Sequence, residues 1–366
     1  MDAYERIKKK MREQIEKFNQ WAMNMNLDNT PVGLYSGRMG LCVYFYELAK
    51  LTSEKRYYAF AEKLFDDVLN NISENMVNEP YGGLTGICLS INYLLENKYT
   101  KGDPNIMLKN LDDKIIQSLI SNRNIDDDKR IDLDAIMPVL GSLMYLTIRL
   151  QNVSLSKDEQ KIMQGAIIEN INLIESIQVD KFVEPYFFAV SQYFMPFYLH
   201  LLQQTYQLNY YNYKIEKIFE ELSPHLLYRY PLNKVYRLML CYEMSEIAST
   251  VGSIPGWNDH TEILQQNLDI LQIINSFRNK QIFFSNGLCG FYYLLRKMGL
   301  EKEYNDLLLN RIADSEVWDQ WPKNDLALKS PLNLFGGLPG VILTYYHILY
   351  NSNITTFFDF VIRHYF

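Results

Sequence analysis

Two glutamates, Glu243 and Glu246, stand three positions apart in a largely apolar stretch. That spacing places both carboxylates on one face of a helix. Paired carboxylates can do general acid and base work, as in the hydrolysis of sugars by enzymes built from helical hairpins. The alternative is that both are solvated charges on a helix surface. The residues alone leave the two interpretations open.

Three further side chains are candidates for chemistry. Asp134 precedes a glycine signature and is either a polar site residue or the N-cap of the helix that follows. Cys241 offers a thiolate to a metal, although an unpaired cysteine in an apolar helix is also a common core residue. Trp257 stands in a segment rich in turn residues, where its indole either lines a substrate-binding rim or packs as a lid.

Composition narrows the class of protein. The 366 residues carry a net charge of −7 without a basic stripe, so nucleic acid is not an expected partner. The sequence begins with a charged amphipathic pattern that lacks an apolar signal region, and its four cysteines show no paired spacing. We therefore expect reduced thiols in a cytoplasmic protein. The most apolar stretch, 186–202, contains Ser, Gln, Pro and His, which predicts a buried helix rather than a membrane span.

A repeated glycine signature marks the elements that must position these residues. Most copies share a Gly-x-x-Gly core, and each is followed by apolar residues at helical spacing. Charged amphipathic segments lie between the copies, so the repeating unit is helix, loop, signature, helix. The clear copies are 33–40, 81–86, 138–141, 286–290 and 335–340.

Two weaker copies, 189–195 and 240–246, complete a set of seven units. Their spacing of roughly 50 residues suits an α-hairpin with its connections. Such hairpins are expected to close into one all-α domain over residues 1–366, an (α/α) toroid whose inner helices open with the glycines. Glycine at these helix starts is expected to supply positive φ and close packing. The helix N-termini are expected to favour anions or thiolates at one mouth of the ring.

Seven hairpins whose inner helices open with Gly-x-x-Gly resemble the lanthionine synthetase C-like family, the cyclases of lanthipeptide biosynthesis. The segment 33–40 is similar to the first repeat of that family, and 334–340 is similar to its last. The resemblance implies a zinc ion that activates a peptide cysteine, which adds to a dehydroalanine or dehydrobutyrine to form a thioether ring. In the family, a Cys of the fifth repeat and a Cys-His pair that opens the sixth hold the zinc.

This chain departs from that ligand set. Cys241 matches the fifth-repeat Cys, with Glu243 and Glu246 in place of glycines, whereas Ser285 and Asn286 replace the Cys-His pair. A hydroxyl and an amide are weak zinc donors beside thiolate and imidazole, so we expect no zinc and no other cofactor. Matched positions of adjacent repeats meet on ring closure, and we therefore expect Cys241, Ser285 and Asn286 to lie close together.

Of the two other polar residues that the resemblance implies, this chain retains one. Asp134 stands where the family has an Asp before its third signature, and Ser191 takes the place of a fourth-repeat His. Three functions stay open. The first is a zinc-free pseudo-enzyme that binds a precursor peptide or a peptide-modifying enzyme such as a dehydratase. The second is an active cyclase with an atypical site. The third is a carbohydrate-acting enzyme that uses Asp134, Glu243 and Glu246.

Overall fold

A computed structural model describes residues 3–73, 76–121, 133–151, 155–175, 182, 184, 188–189, 192–252, 254–321, 331–350 and 356–365. Within these ranges the chain forms α-helices and short 3-10 turns, and it forms no strand, in agreement with the all-α prediction. The helices are α1 (Ala3–Asn24), α2 (Arg38–Thr52), α3 (Lys55–Asn70), α4 (Leu84–Glu96), α5 (Pro104–Met107), α6 (Lys109–Ser121), α7 (Leu133–Leu150), α8 (Lys157–Glu175), α9 (Phe194–Gln207), α10 (Asn212–Leu227), α11 (Lys234–Val251), α12 (Trp257–Gln265), α13 (Ile270–Ser276), α14 (Leu288–Lys297), α15 (Asn305–Ala313), α16 (Val317–Gln320), α17 (Leu338–Tyr350) and α18 (Phe357–Tyr365).

The chain forms two compact units. The first comprises Met1–Ile72 and Ile274–Asp359, and the second comprises Ser73–Ile273 and Phe360–Phe366. In the first unit α17 packs against α2, α14 and α15, and α2 also packs against α3. In the second unit α7 packs against α4, α8 and α9, and α11 packs against α9 and α12. The helices after the first and last signatures, α2 and α17, are thus neighbours, as closure of the repeats predicts. A single domain over residues 1–366 stays a prediction.

The most apolar stretch of the sequence contributes a core helix. Residues 194–202 belong to α9, in which every side chain from Met195 to Gln203 is buried. Residues 186, 187, 190 and 191 lie outside the described part of the chain. Among the described residues, no helix combines the length and the apolar character that crossing a lipid bilayer would require.

Helix α1 shows how an amphipathic pattern places a charged helix on the core. Met11, Ile15, Phe18 and Ala22 follow one another at helical spacing, and each is at most 2% exposed. The ring of Phe18 meets Trp321 edge-on, with the ring centroids 5.5 Å apart. The opposite face of α1 is left to lysine, arginine and glutamate.

A main-chain hydrogen bond of one kind closes four of the five clear signatures. The first N–H group of the following helix donates to the carbonyl oxygen seven residues earlier. The pairs are Arg38 with Pro31 (2.7 Å), Leu84 with Val77 (2.8 Å), Leu288 with Gln281 (2.9 Å) and Leu338 with Pro331 (3.0 Å). This bond gives a partner to an N–H group that has none inside its own helix.

The glycine before each of these helices is required by the close approach of that carbonyl. A Cβ atom on Gly37 would lie 2.4 Å from the Pro31 oxygen, and one on Gly83 would lie 2.2 Å from the Val77 oxygen. The φ angles of these two glycines are −124° and −94°. The expectation of positive φ is therefore wrong, because these glycines supply space for a carbonyl rather than a left-handed conformation.

The third signature differs from the others. Residues 138–141 lie inside α7, with Pro138 in the helix, and do not precede a helix. A Cβ atom on Gly141 would lie 2.8 Å from Pro80 Cδ and 3.0 Å from Thr85 Oγ1. This glycine therefore lets α7 approach the second signature closely, which corrects the prediction that it opens a helix.

We predict that Gly37→Ala lowers the free energy of unfolding by about 1–3 kcal/mol, a typical cost of forcing extra atoms into a packed site. The matched control is Gly165→Ala within α8, where nothing lies within 4 Å of an added Cβ atom. Alanine at that position is expected to raise the free energy of unfolding by about 0.5–1 kcal/mol, because glycine is a poor helix former. Urea denaturation measures both changes, and effects of the same sign would contradict the steric explanation.

Candidate functional site

Three signature loops of the first unit are joined at the position of Ser285. The N–H group of Ser285 donates to the carbonyl oxygen of Phe335 at 2.8 Å, and the N–H group of Leu334 donates to that of Tyr35 at 3.1 Å. These two bonds connect the loops that lead into α2, α14 and α17. Ser285, which the resemblance places at a ligand position of the family, is therefore part of this junction.

Aromatic rings support this junction. The rings of Tyr35 and Phe335 are stacked, with centroids 5.3 Å apart and planes inclined by 8°, and Phe284 meets Phe335 edge-on at 5.2 Å. A Cβ atom on Gly336 would lie 3.4 Å from the Tyr35 hydroxyl and 3.6 Å from Ser285 Oγ. Two hydroxyl groups thus flank the bare backbone of Gly336. We call Tyr35, Phe284, Ser285, Phe335 and Gly336 the loop cluster.

The donor chemistry of the loop cluster does not suit zinc. Ser285 is 8% exposed and Asn286 is exposed, and they supply a hydroxyl and an amide where the family supplies a thiolate and an imidazole. Catalytic zinc takes three nitrogen, sulfur or carboxylate ligands from the protein. Within the described ranges, no three side chains of His, Cys, Asp or Glu converge as a metal would require. The side chains at the loop cluster therefore offer no set of zinc ligands.

The helix N-termini at the loop cluster are largely closed to anions. The first N–H groups of α14, from Leu288 and Cys289, donate to loop carbonyls at 2.9 and 3.2 Å. In α2 the N–H groups of Arg38 and Met39 do the same at 2.7 and 3.2 Å. The guanidinium of Arg38 is engaged with Asp67 at 2.5 Å. The predicted preference for thiolates at these termini is weakened, because the donors that would bind them already have partners.

Cys241 does not occupy a signature position. It lies within α11, eight residues after the N-cap, and its thiol donates to the carbonyl oxygen of Thr261 at 3.6 Å. The N-cap is Asn233, whose side-chain oxygen accepts the N–H groups of Val235 and Tyr236 at 3.1 Å each. Asn233 thus stands where the other repeats have a glycine. Placing the fifth signature at 240–246 is an error of register.

The thiols of this chain are not activated. Burial raises the pKa of Cys42, Cys88 and Cys241, and it raises the pKa of Cys289 to about 12. An activated cysteine requires the opposite shift, toward the thiolate. Cys241 belongs to the second unit, whereas Ser285 and Asn286 belong to the first. The expected proximity of these three residues stays a prediction.

Glu243 forms a buried pair that the sequence did not reveal. It is 1% exposed, and its Oε2 lies 3.1 Å from Nδ1 of His200 on α9. The other ring nitrogen of His200, Nε2, lies 2.7 Å from the carbonyl oxygen of Arg363. A carbonyl only accepts, so Nε2 carries a proton and a second proton lies between Nδ1 and the carboxyl group. The pair joins α9, α11 and the C-terminal residues of the second unit.

The contact between His200 and Glu243 decides whether the two glutamates are an acid–base pair or solvated charges. Glu243 is neither a solvated charge nor open to a ligand, because it is enclosed with His200. Glu246 is only partly exposed, and its carbonyl accepts the hydroxyl groups of Ser249 and Thr250 at 2.8 Å each. The two carboxylates therefore do not share one open face. A histidine in the apolar run of α9 opposite a glutamate in that of α11 was the available signal.

The two remaining candidates are Trp257, whose side chain the structure describes, and Asp134, of which it describes only the main chain. Trp257 begins α12 and is fully buried, its Nε1 donating to Ser223 Oγ at 2.8 Å and its ring meeting Phe219 edge-on at 6.0 Å. This burial corrects the placement of its indole at a substrate-binding rim and agrees with packing. Asp134 is the second residue of α7, inside the helix rather than at its N-cap. Its side chain and the whole of Ser191 lie outside the described residues.

Comparisons with known proteins bear on the repeats and the fold. Residues 28–185 match the family model described as "Lanthionine synthetase C-like protein". None of the curated proteins matches the sequence. Six chains of solved structures match, among them one described as "Nisin cyclase", with a TM-score of 0.60 and 16% identity over 96% of this chain and 97% of that chain.

The structural likeness shows the fold and confirms the all-α class of (α/α) toroids predicted from the sequence. The family match covers the first three clear signatures and ends before Ser285 and Asn286. Together the two comparisons confirm the resemblance read from the glycine signatures: over residues 28–185 this chain carries the pattern of the lanthionine synthetase C-like family, and it has the fold of nisin cyclase.

Proposed function

We propose that this protein is a zinc-free relative of the lanthipeptide cyclases that binds a peptide or a modifying enzyme and does not itself close thioether rings. One observation carries the proposal. The loop cluster forms a hydrogen-bonded junction where the resemblance implies two zinc ligands, yet Ser285 and Asn286 supply a hydroxyl and an amide there. The fold is retained while the donors that would activate a thiol are absent from that position.

The loop cluster has features that suit peptide binding. The partly exposed ring of Tyr35 stacks on the buried ring of Phe335, and the hydroxyls of Tyr35 and Ser285 flank Gly336. Binding sites in proteins generally combine apolar area with a few placed polar groups. The bare backbone at Gly336 leaves space for a second main chain to approach. A precursor peptide is the ligand that the family resemblance suggests.

The partner is taken from the same resemblance. The name of the matched structure describes a cyclase of nisin, a modified peptide. A protein that keeps this fold without its zinc donors would hold a precursor peptide for another enzyme, such as a dehydratase, or would dock on that enzyme.

The two other functions have less support. An atypical cyclase must activate the cysteine thiol of its peptide, but the loop cluster, as its five residues define it, contains no histidine, cysteine or lysine that would do so. A carbohydrate-acting enzyme needs two carboxyl groups facing one cleft. Glu243 is enclosed with His200, and the side chain of Asp134 is outside the described residues.

We predict that the protein purified without chelator contains far less than one zinc per chain, as measured by inductively coupled plasma mass spectrometry. The double variant Ser285→Cys, Asn286→His restores a thiolate and an imidazole to the loop and is expected to bind zinc at least about tenfold more tightly. The control places the same pair on an exposed turn, as Lys302→Cys, Glu303→His. Stoichiometric zinc in the unmodified protein would refute the proposal.

We also predict that the protein does not accelerate ring closure of a dehydrated peptide that contains cysteine. A free peptide thiol has a pKa of about 8.5, so it is mostly protonated near neutral pH without an activating group. Mass spectrometry after thiol alkylation follows the reaction with and without the protein. Closure much faster than in buffer would show an active cyclase.

Binding of the same peptide provides the positive test. We expect Gly336→Leu to weaken it about tenfold, because the added side chain fills the space between the two hydroxyls. Gly165→Leu, on the exposed face of α8, is the control and should leave the affinity unchanged. Fluorescence anisotropy measures both, and an equal affinity of the two variants would place peptide binding away from the loop cluster.

A further inference from the structure

A second surface of the first unit has the character of a binding site. A groove of about 1010 Å³ lies between α1, the start of α3 and the C-terminal end of α17. Its volume is at the upper end of the range of about 300–1,000 Å³ in which proteins bind small ligands. We call it the N-terminal groove. It holds a short segment of chain more readily than a single side chain.

One wall of the groove is electrostatically satisfied. Arg56 donates two hydrogen bonds to the carboxylate of Glu16, at 2.9 and 2.8 Å, and a third to Glu54 at 2.6 Å. The hydroxyl of Tyr57 also donates to Glu16 at 2.9 Å. Although partial burial opposes the effect, these bonds lower the pKa of Glu16, which therefore stays ionised. Both carboxylates thus have hydrogen-bond partners, although one guanidinium between two carboxylates leaves this wall with one net negative charge.

The remaining charges of the groove are mainly positive. Lys9 and Arg12 are exposed on α1, and within the described part of the chain neither has an ion pair. Lys17 lies over the ring of Trp321, at 5.9 Å from its centroid. Glu13 is the one carboxylate beside them without an ion pair among the described residues. Over all its lining side chains the groove has five cations and four carboxylates, an excess of one positive charge in a chain whose net charge is −7.

Aromatic side chains form the edge next to these cations. Tyr346 and Tyr350 are one turn apart on α17, and their rings are stacked with centroids 5.7 Å apart. Tyr350 is 54% exposed. Burial raises the pKa of Tyr346 to about 12, and the nearby positive charge of Arg12 acts against that rise. The groove therefore combines cations, neutral hydroxyls and an exposed ring.

We propose that the N-terminal groove binds an acidic peptide segment, whose carboxylates pair with Lys9 and Arg12 while an apolar side chain packs on Tyr350. Charge complementarity carries the choice of ligand, because the carboxylates of the groove other than Glu13 are already paired, and Lys9 and Arg12 outnumber Glu13. The exposed ring suits an amino-acid side chain more than a bare anion. The proposal does not depend on the function of the loop cluster.

The groove is also separate from the loop cluster in space. Both belong to the first unit, and α17 runs from the cluster at Leu338 to the groove at Tyr350. At about 1.5 Å of rise per residue, the helix holds the two places roughly 18 Å apart. The two surfaces can therefore be tested separately.

The experiment measures binding of a short fluorescent peptide in which glutamates alternate with phenylalanine and glycine. Matched peptides carry glutamine or lysine in place of glutamate. We expect the acidic peptide to bind best and its affinity to fall with added salt. The double variant Lys9→Ala, Arg12→Ala should weaken binding about tenfold, and Glu13→Gln should strengthen it.

The controls separate this surface from the rest of the molecule. Lys161→Ala removes an exposed lysine of α8, and Gly165→Leu adds an apolar side chain to the same helix, and both should leave acidic-peptide binding unchanged. Circular dichroism verifies that each variant is folded. Equal binding of the acidic and lysine peptides, or no loss in the double variant, would overturn the proposal. Tighter binding of inorganic polyphosphate than of the acidic peptide would overturn the choice of a peptide.

Discussion

The hydrogen bond from the first N–H group of a helix to the carbonyl seven residues earlier fixes the local structure of this protein. It occurs at α2, α4, α14 and α17, always next to a glycine whose missing side chain leaves space for that carbonyl. The bond sets the direction in which each of these helices leaves its loop. In the first unit it also sets where the loops can meet, which is how Tyr35, Ser285 and Phe335 come together.

The same bond limits the chemistry available there. A helix N-terminus attracts anions through N–H groups that lack partners, but the loop carbonyls already take several of them. A metal would overcome this limit by supplying charge directly. At the place that the resemblance gives to two zinc ligands, this chain has Ser285 and Asn286, which are poor zinc ligands. The proposed scaffold role rests on the retained fold together with side chains that are poor ligands for zinc.

The sequence predicted those features that repeat locally. The helical class, the helix starts after four signatures and the place of Ser285 before α14 all follow from glycine spacing and apolar periodicity. The fifth signature was misplaced because Asn233 caps α11 with its side chain, so no glycine marks that start. Gly141 looked like a helix opener, although its role is to let α7 approach Pro80 and Thr85. The local sequence pattern does not distinguish a glycine that precedes a helix from a glycine that lets a helix pack closely against a loop.

Features that join distant positions could not be predicted. The pair of His200 and Glu243 depends on the packing of α9 against α11, and the junction at Ser285 depends on a loop about fifty residues later in the chain. The N-terminal groove likewise needs α1 and α17 side by side. Each residue has an ordinary explanation by itself, as core, cap or surface charge. Only their contacts in the folded chain give them a role.

The most direct measurement of the central claim is hydrogen–deuterium exchange of the main-chain N–H groups in residues 281–288 and 331–338 during titration with a dehydrated peptide that contains cysteine. These loops form the junction at Ser285, so a bound peptide should slow their exchange. A zinc-free binding role predicts the same protection with and without a metal chelator. Protection that appears only when zinc is present, or no protection at saturating peptide, would contradict a zinc-free peptide-binding role.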